Sequence, residues 1–180
     1  GISYFLVLQK MRNTGSDRDF FVLTAGRVQG IDVGGQLIQI RRILCPVDFF
    51  RPSEAAVAYA GFLAKNYNAR IHILHVVPPA SSFVSFARDM GRLVKAAHDE
   101  SQLRLARMAK TVKASGVTVS VEIRFGEIDR EIVNAIAEYK ANLVVAGTHG
   151  RRGFQHWLIG SVCERLLKTA PTPILTVGHV

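Results

Sequence analysis

From Arg41 onward, short apolar runs alternate with longer segments in which apolar residues recur at helical spacing. The short runs are bounded by polar residues, glycine or proline, as in parallel strands that are buried on both faces. The longer segments predict amphipathic helices. Predicted strands are 43–47, 71–77, 117–123, 143–146 and 173–177, and predicted helices are about 52–67, 87–115, 128–139 and 161–169. This alternation predicts an α/β fold, with a parallel sheet covered by helices on both faces.

Residues 1–40 lack this regularity. Two segments, 20–23 and 37–40, are strand-like, and a glycine-rich stretch separates them. They form either a loose hairpin or upstream sequence without a structural role, and the pattern leaves both interpretations open. We therefore divide the chain into an N-terminal extension, 1–40, and one domain, 41–178. If the extension has no structural role, its deletion leaves thermal stability nearly unchanged.

The composition adds a bias toward anionic partners. The 180 residues are 48% hydrophobic and 21% charged, which is ordinary for a folded domain, and two cysteines do not make a disulfide framework. The net charge is +9. Residues 1–40 hold four basic and three acidic side chains, so the remaining residues carry +8. Such a charge favours phosphates, nucleic acid or acidic lipid without choosing among them.

Membrane and export signals are weak. No apolar run approaches the roughly 18 residues of a membrane span. The short apolar run at 4–8 has no basic segment before it and no Ala-x-Ala site after it. We expect a cytoplasmic protein with no membrane partner.

The loop after the fourth predicted strand carries the candidate chemistry. It begins at Gly147, contains Gly150 and Arg151, and ends at Gly160, where Ser161 opens the last predicted helix. Glycines allow close backbone approach, and a helix N-terminus offers free N–H groups to an anion. These features predict a phosphate cradle, and the alternative is a surface loop with ordinary turn glycines. The spacing matches neither a Walker A loop nor the dinucleotide motif G-x-G-x-x-G.

The glycine spacing resembles a known nucleotide motif. Gly147-x-x-Gly150, nine residues and then Gly160-Ser161 is similar to the G-2x-G-9x-G-[S/T] motif of the universal stress protein family. Further similar segments occur in the same order, and together they extend the resemblance over residues 41–177. These segments are 43–48 at the first strand end, 74–76 in the second strand and 171–177 at the end of the domain.

The resemblance implies an open, Rossmann-like sheet of five parallel strands in the order 3-2-1-4-5. It also implies a homodimer that pairs the last strands, Pro173–Val177. Because the whole glycine motif is present, the chain resembles the branch that binds ATP, with Mg²⁺ accompanying the nucleotide. ATP would then act as a bound signal in a stress response, with slow hydrolysis or none. The alternative is a nucleotide-free dimeric interaction module of the same fold.

The same resemblance assigns residues to the site. Asp48, after the first strand, would accept ribose hydroxyls or help to hold the metal. The adenine slot takes Pro46, Val47 and Val76, and Ala146 joins the set at the end of the fourth strand. The phosphate and ribose loop takes Gly147, Gly150, Gly160, Ser161 and Val162, with His149 and Arg151 facing phosphate. Phe50 departs from the family pattern, in which a small polar residue is frequent.

Simple structural roles are the alternatives to functional ones for several residues. Asp48 could simply cap its turn. His72 and His75 are three apart on a strand and therefore point to opposite faces, which makes them poor joint metal ligands. Cys45 and Cys163 fit small buried residues. No base other than Asp48 and His149 is apparent, which disfavours an efficient ATPase or kinase. Nucleic-acid binding has only the net charge in its favour.

Overall fold

The computed structural model describes the backbone of four short N-terminal strands and of residues 40–79, 90–147 and 161–177. Side chains are described in these three ranges, except at 90, 93 and 94. The N-terminal strands are β1 (Leu6–Gln9), β2 (Phe20–Leu23), β3 (Ile31–Val33) and β4 (Gln36–Ile38). The elements that follow are β5 (Arg42–Val47), α1 (Arg51–Tyr67), β6 (Arg70–Val77), α2 (Met90–Lys113), β7 (Thr118–Phe125), α3 (Ile128–Tyr139), β8 (Leu143–Gly147), α4 (Ser161–Thr169) and β9 (Ile174–Val177).

Strands β5 to β9 form a parallel sheet in the spatial order β7-β6-β5-β8-β9. Counted along these five strands, the order is 3-2-1-4-5, so the predicted fold class is confirmed. The chain moves outward from β5 to β7 and then returns to β8 on the other side of β5. This reversal lies between β5 and β8, and ligands of such sheets bind in the crevice at the carboxyl ends of the strands there.

The N-terminal strands extend the sheet beyond β9. Strand β1 pairs antiparallel with β9 through Leu8–Leu175 and Gln9–Ile174, and β2 pairs with β1. In the part of the chain that the structure describes, the sheet therefore has seven strands. The two strand-like segments of the extension do not pair with each other, because β2 pairs with β1 while β4 pairs with β3.

The core has one layer on each face of the sheet. Ile43, Cys45 and Val47 pack beneath α1 and α2, whereas Leu44 packs beneath α3 and α4. Strand β9 is buried throughout, as is β8 up to Ala146. Ile40 is also 2% exposed and belongs to the layer beneath α1 and α2. The packed domain therefore includes at least one residue before Arg41.

Helix α1 begins immediately after the loop that follows β5. Phe50 is its N-cap, and Pro52 occupies the first turn, where a missing N–H is tolerated. Ser53 lies in the first turn, and its Oγ donates to the Phe50 carbonyl at 2.9 Å. These contacts fix the start of α1 at the carboxyl end of β5.

No helix in the described part of the chain combines the length and apolar character needed to cross a membrane.

Candidate functional site

Asp48 lies at the carboxyl end of β5, beside the point where the strand order reverses. Its Oδ1 accepts a hydrogen bond from the backbone N–H of Phe50 at 3.1 Å, so one carboxylate oxygen caps the turn. The side chain is exposed. The turn-capping role is therefore present, and it uses only one of the two carboxylate oxygens.

Phe49 follows Asp48 in a left-handed backbone conformation, with φ of 65°. Its ring lies between two other side chains. The His75 ring centroid is 4.3 Å from that of Phe49, and the Arg104 guanidinium carbon is 4.6 Å from it. A bulky residue at positive φ is strained and persists only where its surroundings hold it. Helix α2, through Arg104, therefore helps to hold the loop that carries Asp48.

His75 connects this loop to β6. Its Nδ1–H donates to the Val47 carbonyl oxygen at 2.8 Å, which fixes the tautomer with Nδ1 protonated. Burial lowers the pKa of His75; the Val47 hydrogen bond and the Asp48 charge oppose this effect, and the Arg104 charge adds to it. The net shift is downward, so the imidazole is neutral at pH 7.

Gly147 ends β8 directly against the start of α1. A Cβ at this position would lie 2.6 Å from the carbonyl carbon of Pro52 and 2.8 Å from the backbone nitrogen of Ser53. No side chain fits this space without backbone movement. Gly147 therefore permits close packing of β8 on α1, and its predicted close approach to an anion stays a prediction.

Helix α4 also begins beside the carboxyl end of β8. Ser161 is exposed at its first position, Val162 is half-buried and Cys163 is buried. The Cys163 thiol lies 3.0 Å from the Gly147 carbonyl oxygen and donates to it. Burial raises the pKa of Cys163 to about 11, and the negative charge of Asp48 contributes to the same shift. Asp48 is thus within electrostatic reach of both α4 and His75 on β6.

Both cysteines are buried, and burial disfavours the thiolate form of each. Burial also raises the pKa of Cys45 well above its ordinary range. The prediction that both are small buried residues agrees with the structure. The two histidines also point to opposite faces, as predicted, because His72 stacks on Tyr139 of α3 while the His75 ring contacts Phe49 at a tilt of 40°.

The structure brings most of the predicted site residues to the carboxyl-end side of the parallel sheet. Those at the carboxyl ends of β5, β6 and β8 and at the start of α4 are Pro46, Val47, Asp48, Val76, Ala146, Gly147, Ser161 and Val162. The Val47 and Val76 side chains, however, are buried on opposite faces of the sheet. A slot between these strands would therefore be lined by backbone. Predicted residues His149, Gly150, Arg151 and Gly160 lie outside the described residues.

Three residues beside Asp48 were not predicted from the sequence as site components: Phe49, His75 and Arg104. Phe49 adjoins Asp48, and only its positive φ distinguishes it. His75 was assigned to a strand face without a partner. Arg104 belongs to a helix far along the chain, and no local signal connects it with the first loop.

The described residues contain no group of side chains that could enclose a metal ion by themselves. Among residues 40–79, 90–147 and 161–177, no three His, Cys, Asp or Glu side chains lie together. Mg²⁺ commonly binds through one or two carboxylates together with substrate phosphates. Asp48, exposed and with one oxygen outside the turn, fits that arrangement.

A family model described as "Universal stress protein family" matches residues 39–178. Universal stress protein MJ0531 of Methanocaldococcus jannaschii is 32% identical over 142 residues, which cover 76% of this chain and 81% of that protein. Universal stress protein G of Shigella flexneri is 31% identical over 141 residues, which cover 76% of this chain and 98% of that protein.

Solved structures share the fold. Hypothetical protein MJ0577 superposes with a TM-score of 0.71 at 23% identity, covering 79% of this chain and 99% of its own. A universal stress protein from Archaeoglobus fulgidus in complex with dAMP has a TM-score of 0.57 at 17% identity, covering 78% and 99%. A universal stress protein in complex with cAMP has a TM-score of 0.59 at 22% identity, covering 78% and 98%.

Proposed function

The chain belongs to the universal stress protein family, and from this premise we propose that it is an ATP-binding regulatory protein with a role in the stress response. One observation carries the proposal. Asp48, Gly147 and the start of α4 converge at the point where the strand order reverses. Two structural neighbours hold dAMP and cAMP, which supports an adenine nucleotide as the ligand.

The residues at the carboxyl ends of the strands and at the start of α4 each have a role in this proposal. The backbone at the ends of β5 and β6, at Pro46, Val47 and Val76, borders the adenine slot. The Asp48 oxygen that does not cap the turn accepts a ribose hydroxyl or contributes to Mg²⁺ bound with the phosphates. The N-terminal N–H groups of α4 and the Ser161 hydroxyl face phosphate, because a helix N-terminus attracts anions. The sequence motif adds Gly150 and Gly160, with His149 and Arg151 beside the phosphates.

The same geometry favours retention of ATP over rapid turnover. The Nδ1 of His75 already donates to Val47. The Asp48 oxygen nearest the loop already accepts from Phe50. Neither group forms a pair with a described side chain that would activate an attacking water. ATP then serves as a bound signal, with slow hydrolysis or none.

The identity of the bound molecule is the first test. The purified chain is denatured, and the small molecules that it releases are identified by mass spectrometry. We expect ATP or a closely related adenine nucleotide in amounts comparable to the protein. Release of no nucleotide, combined with no change in melting temperature on addition of Mg-ATP or AMP, would favour the nucleotide-free interaction module.

A homodimer through the last strand, Pro173–Val177, belongs to the same proposal. Two residues of β1 already pair with the outer edge of β9. A second copy can therefore add to β9 only after β1 has left it. Cross-linking at β9 that increases when β1 is removed would support such a dimer.

A further inference from the structure

The other end of the sheet has an open edge. Strand β7 pairs with β6 along one side over eight positions, from Thr118 to Phe125. In the part of the chain that the structure describes, no strand pairs with its other side. Natural edge strands are usually protected by proline, lysine, a bulge or short length, because their unpaired backbone groups bind other strands. Strand β7 has eight residues and contains neither proline nor lysine.

The direction of the free backbone groups follows from one hydrogen bond. The N–H of Gly126, just after β7, donates to the Val77 carbonyl of β6 at 3.0 Å. Backbone groups alternate in direction along a strand, so the even-numbered residues of β7 face β6. The N–H and C=O groups of the odd-numbered residues therefore point away from the sheet. These residues are Val119, Val121, Ile123 and Phe125.

The side chains along this edge are of two kinds. On the α2 side, Val121 is 44% exposed and Phe125 is 50% exposed. On the α3 side, Glu122 and Arg124 form an ion pair at 2.8 Å, and Arg124 also contacts Glu138 at 2.6 Å. The edge thus presents an apolar row on one face and charges of both signs on the other.

We propose that the outer edge of β7 binds the same edge of a second copy, antiparallel, about a two-fold axis at Ile123. Ile123 then faces the partner's Ile123, and the pair exchanges both backbone hydrogen bonds. Val121 faces the partner's Phe125 on the α2 side. Glu122 faces the partner's Arg124 on the α3 side. The surface is self-complementary, as a two-fold interface must be.

Charge selects this register among its neighbours. An axis at Glu122 would set two glutamates opposite each other, and an axis at Arg124 would set two arginines opposite each other, which is destabilising. A register shifted by one residue would place outward-pointing backbone groups opposite groups that already bond to β6. The axis at Ile123 pairs outward groups with outward groups and opposite charges with each other.

Of the two outer strands of the parallel sheet, β7 and β9, only β7 has an unpaired outer side in the described part of the chain. The outer edge of β9 is already paired with β1 in this chain. The outer edge of β7 accepts a second copy without displacing any described strand. The proposal does not depend on nucleotide binding, because β7 contributes no residue to the candidate site.

The first experiment measures the mass of the full chain in solution by light scattering over a range of concentrations. Because β1 occupies the outer side of β9 in the full chain, we expect a single dimer interface, at β7. Val121→Lys should weaken this dimer by about tenfold or more, since the symmetric interface contains the altered pair twice. Phe62→Lys is the matched control, because Phe62 is an exposed aromatic residue on α1. A monomer at all concentrations, or a dimer that Val121→Lys leaves intact, would overturn the proposal.

Cysteine substitution tests the register without relying on one variant. The double variant Val121→Cys/Phe125→Cys should form a covalent dimer under mild oxidation, because each new thiol faces one on the partner. The single variants should not, since identical positions are separated by four residues, roughly 13 Å along the strand, which exceeds disulfide reach. The native cysteines are buried and do not compete. Absence of cross-linking in a double variant with unchanged melting temperature would also overturn the proposal.

Discussion

At the scale of single residues, Gly147 is constrained by the backbone of α1. The atoms nearest to an added Cβ belong to Pro52 and Ser53, and both lie under 3.0 Å away. Gly147→Ala should therefore lower the free energy of unfolding by about 1–3 kcal/mol even without nucleotide, as overpacking does. Urea denaturation measures this loss. Gly91→Ala is the control, because a Cβ there meets nothing within 4 Å; equal stability of the two variants would contradict the packing role.

His75 should make stability depend on pH. Its pKa is lower in the folded chain than the ordinary value of 6.5, chiefly because it is buried. As the pH falls below about 6.5, the unfolded chain takes up the proton first, so stability decreases until the folded-state pKa is reached. His75→Asn cannot titrate there and retains a donor for the Val47 carbonyl. Its stability should be flatter between pH 7 and 5 in thermal melts, and a slope equal to that of the native chain would contradict this assignment.

Single residues also show how much of the candidate site could be predicted from the sequence. Asp48 could be placed beyond the first strand because it directly follows an apolar run, and the structure finds it at the carboxyl end of β5. The close packing of Gly147 on α1 could not be predicted, because the spacing of glycines does not reveal which backbone approaches them. Arg104 could not be predicted, since its contact with Phe49 depends on how α2 crosses the sheet.

At the scale of elements, α2 helps to hold the first loop through Arg104. Arg104→Ala should destabilise the fold by only about 0.5–1 kcal/mol, the usual value of an exposed cation–π contact. Its larger effect should be faster hydrogen exchange of the Phe50 amide, which bonds to Asp48. Arg107→Ala, on the same helix, should leave that amide unchanged. Equal exchange rates in the two variants would show that α2 does not hold the loop.

The strands differ in how clearly their sequences identify them. The β5 and β8 sequences are almost continuously apolar because helices cover both faces, so their burial could be predicted. The β7 sequence alternates, and the structure explains this pattern by its place at the edge of the sheet. The N-terminal strands have three or four residues each, too few for periodicity to assign their partners.

At the scale of the whole molecule, periodicity predicts alternating strands and helices but not their spatial order. The order 3-2-1-4-5 came from the resemblance, because loop lengths and burial patterns permit several parallel sheets. The positions of β2 and β7 at the two ends of the described sheet are likewise properties of the assembled sheet, which is why the proposed β7 surface for a second copy emerges only at this scale.

The beginning of the domain can be tested by two truncations. Removal of residues 1–40 deletes Ile40, which is 2% exposed, whereas removal of residues 1–38 retains it. The shorter deletion should be more stable by about 1.5–3 kcal/mol, the value of burying one such side chain. Denaturant titration of both truncated chains measures the difference. Equal stability would show that Ile40 contributes nothing to the core.

The central claim is nucleotide binding at the reversal point of the sheet, and titration calorimetry with Mg-ATP tests it most directly. We expect saturable binding at one site per chain. Asp48→Asn, which keeps the turn-capping oxygen and loses the charge, should bind about tenfold more weakly, in line with hydrogen bonds to charged groups. Asp99→Asn, on α2, should bind like the native chain. Absence of heat with the native chain, or equal affinity in the Asp48→Asn variant, would contradict the claim.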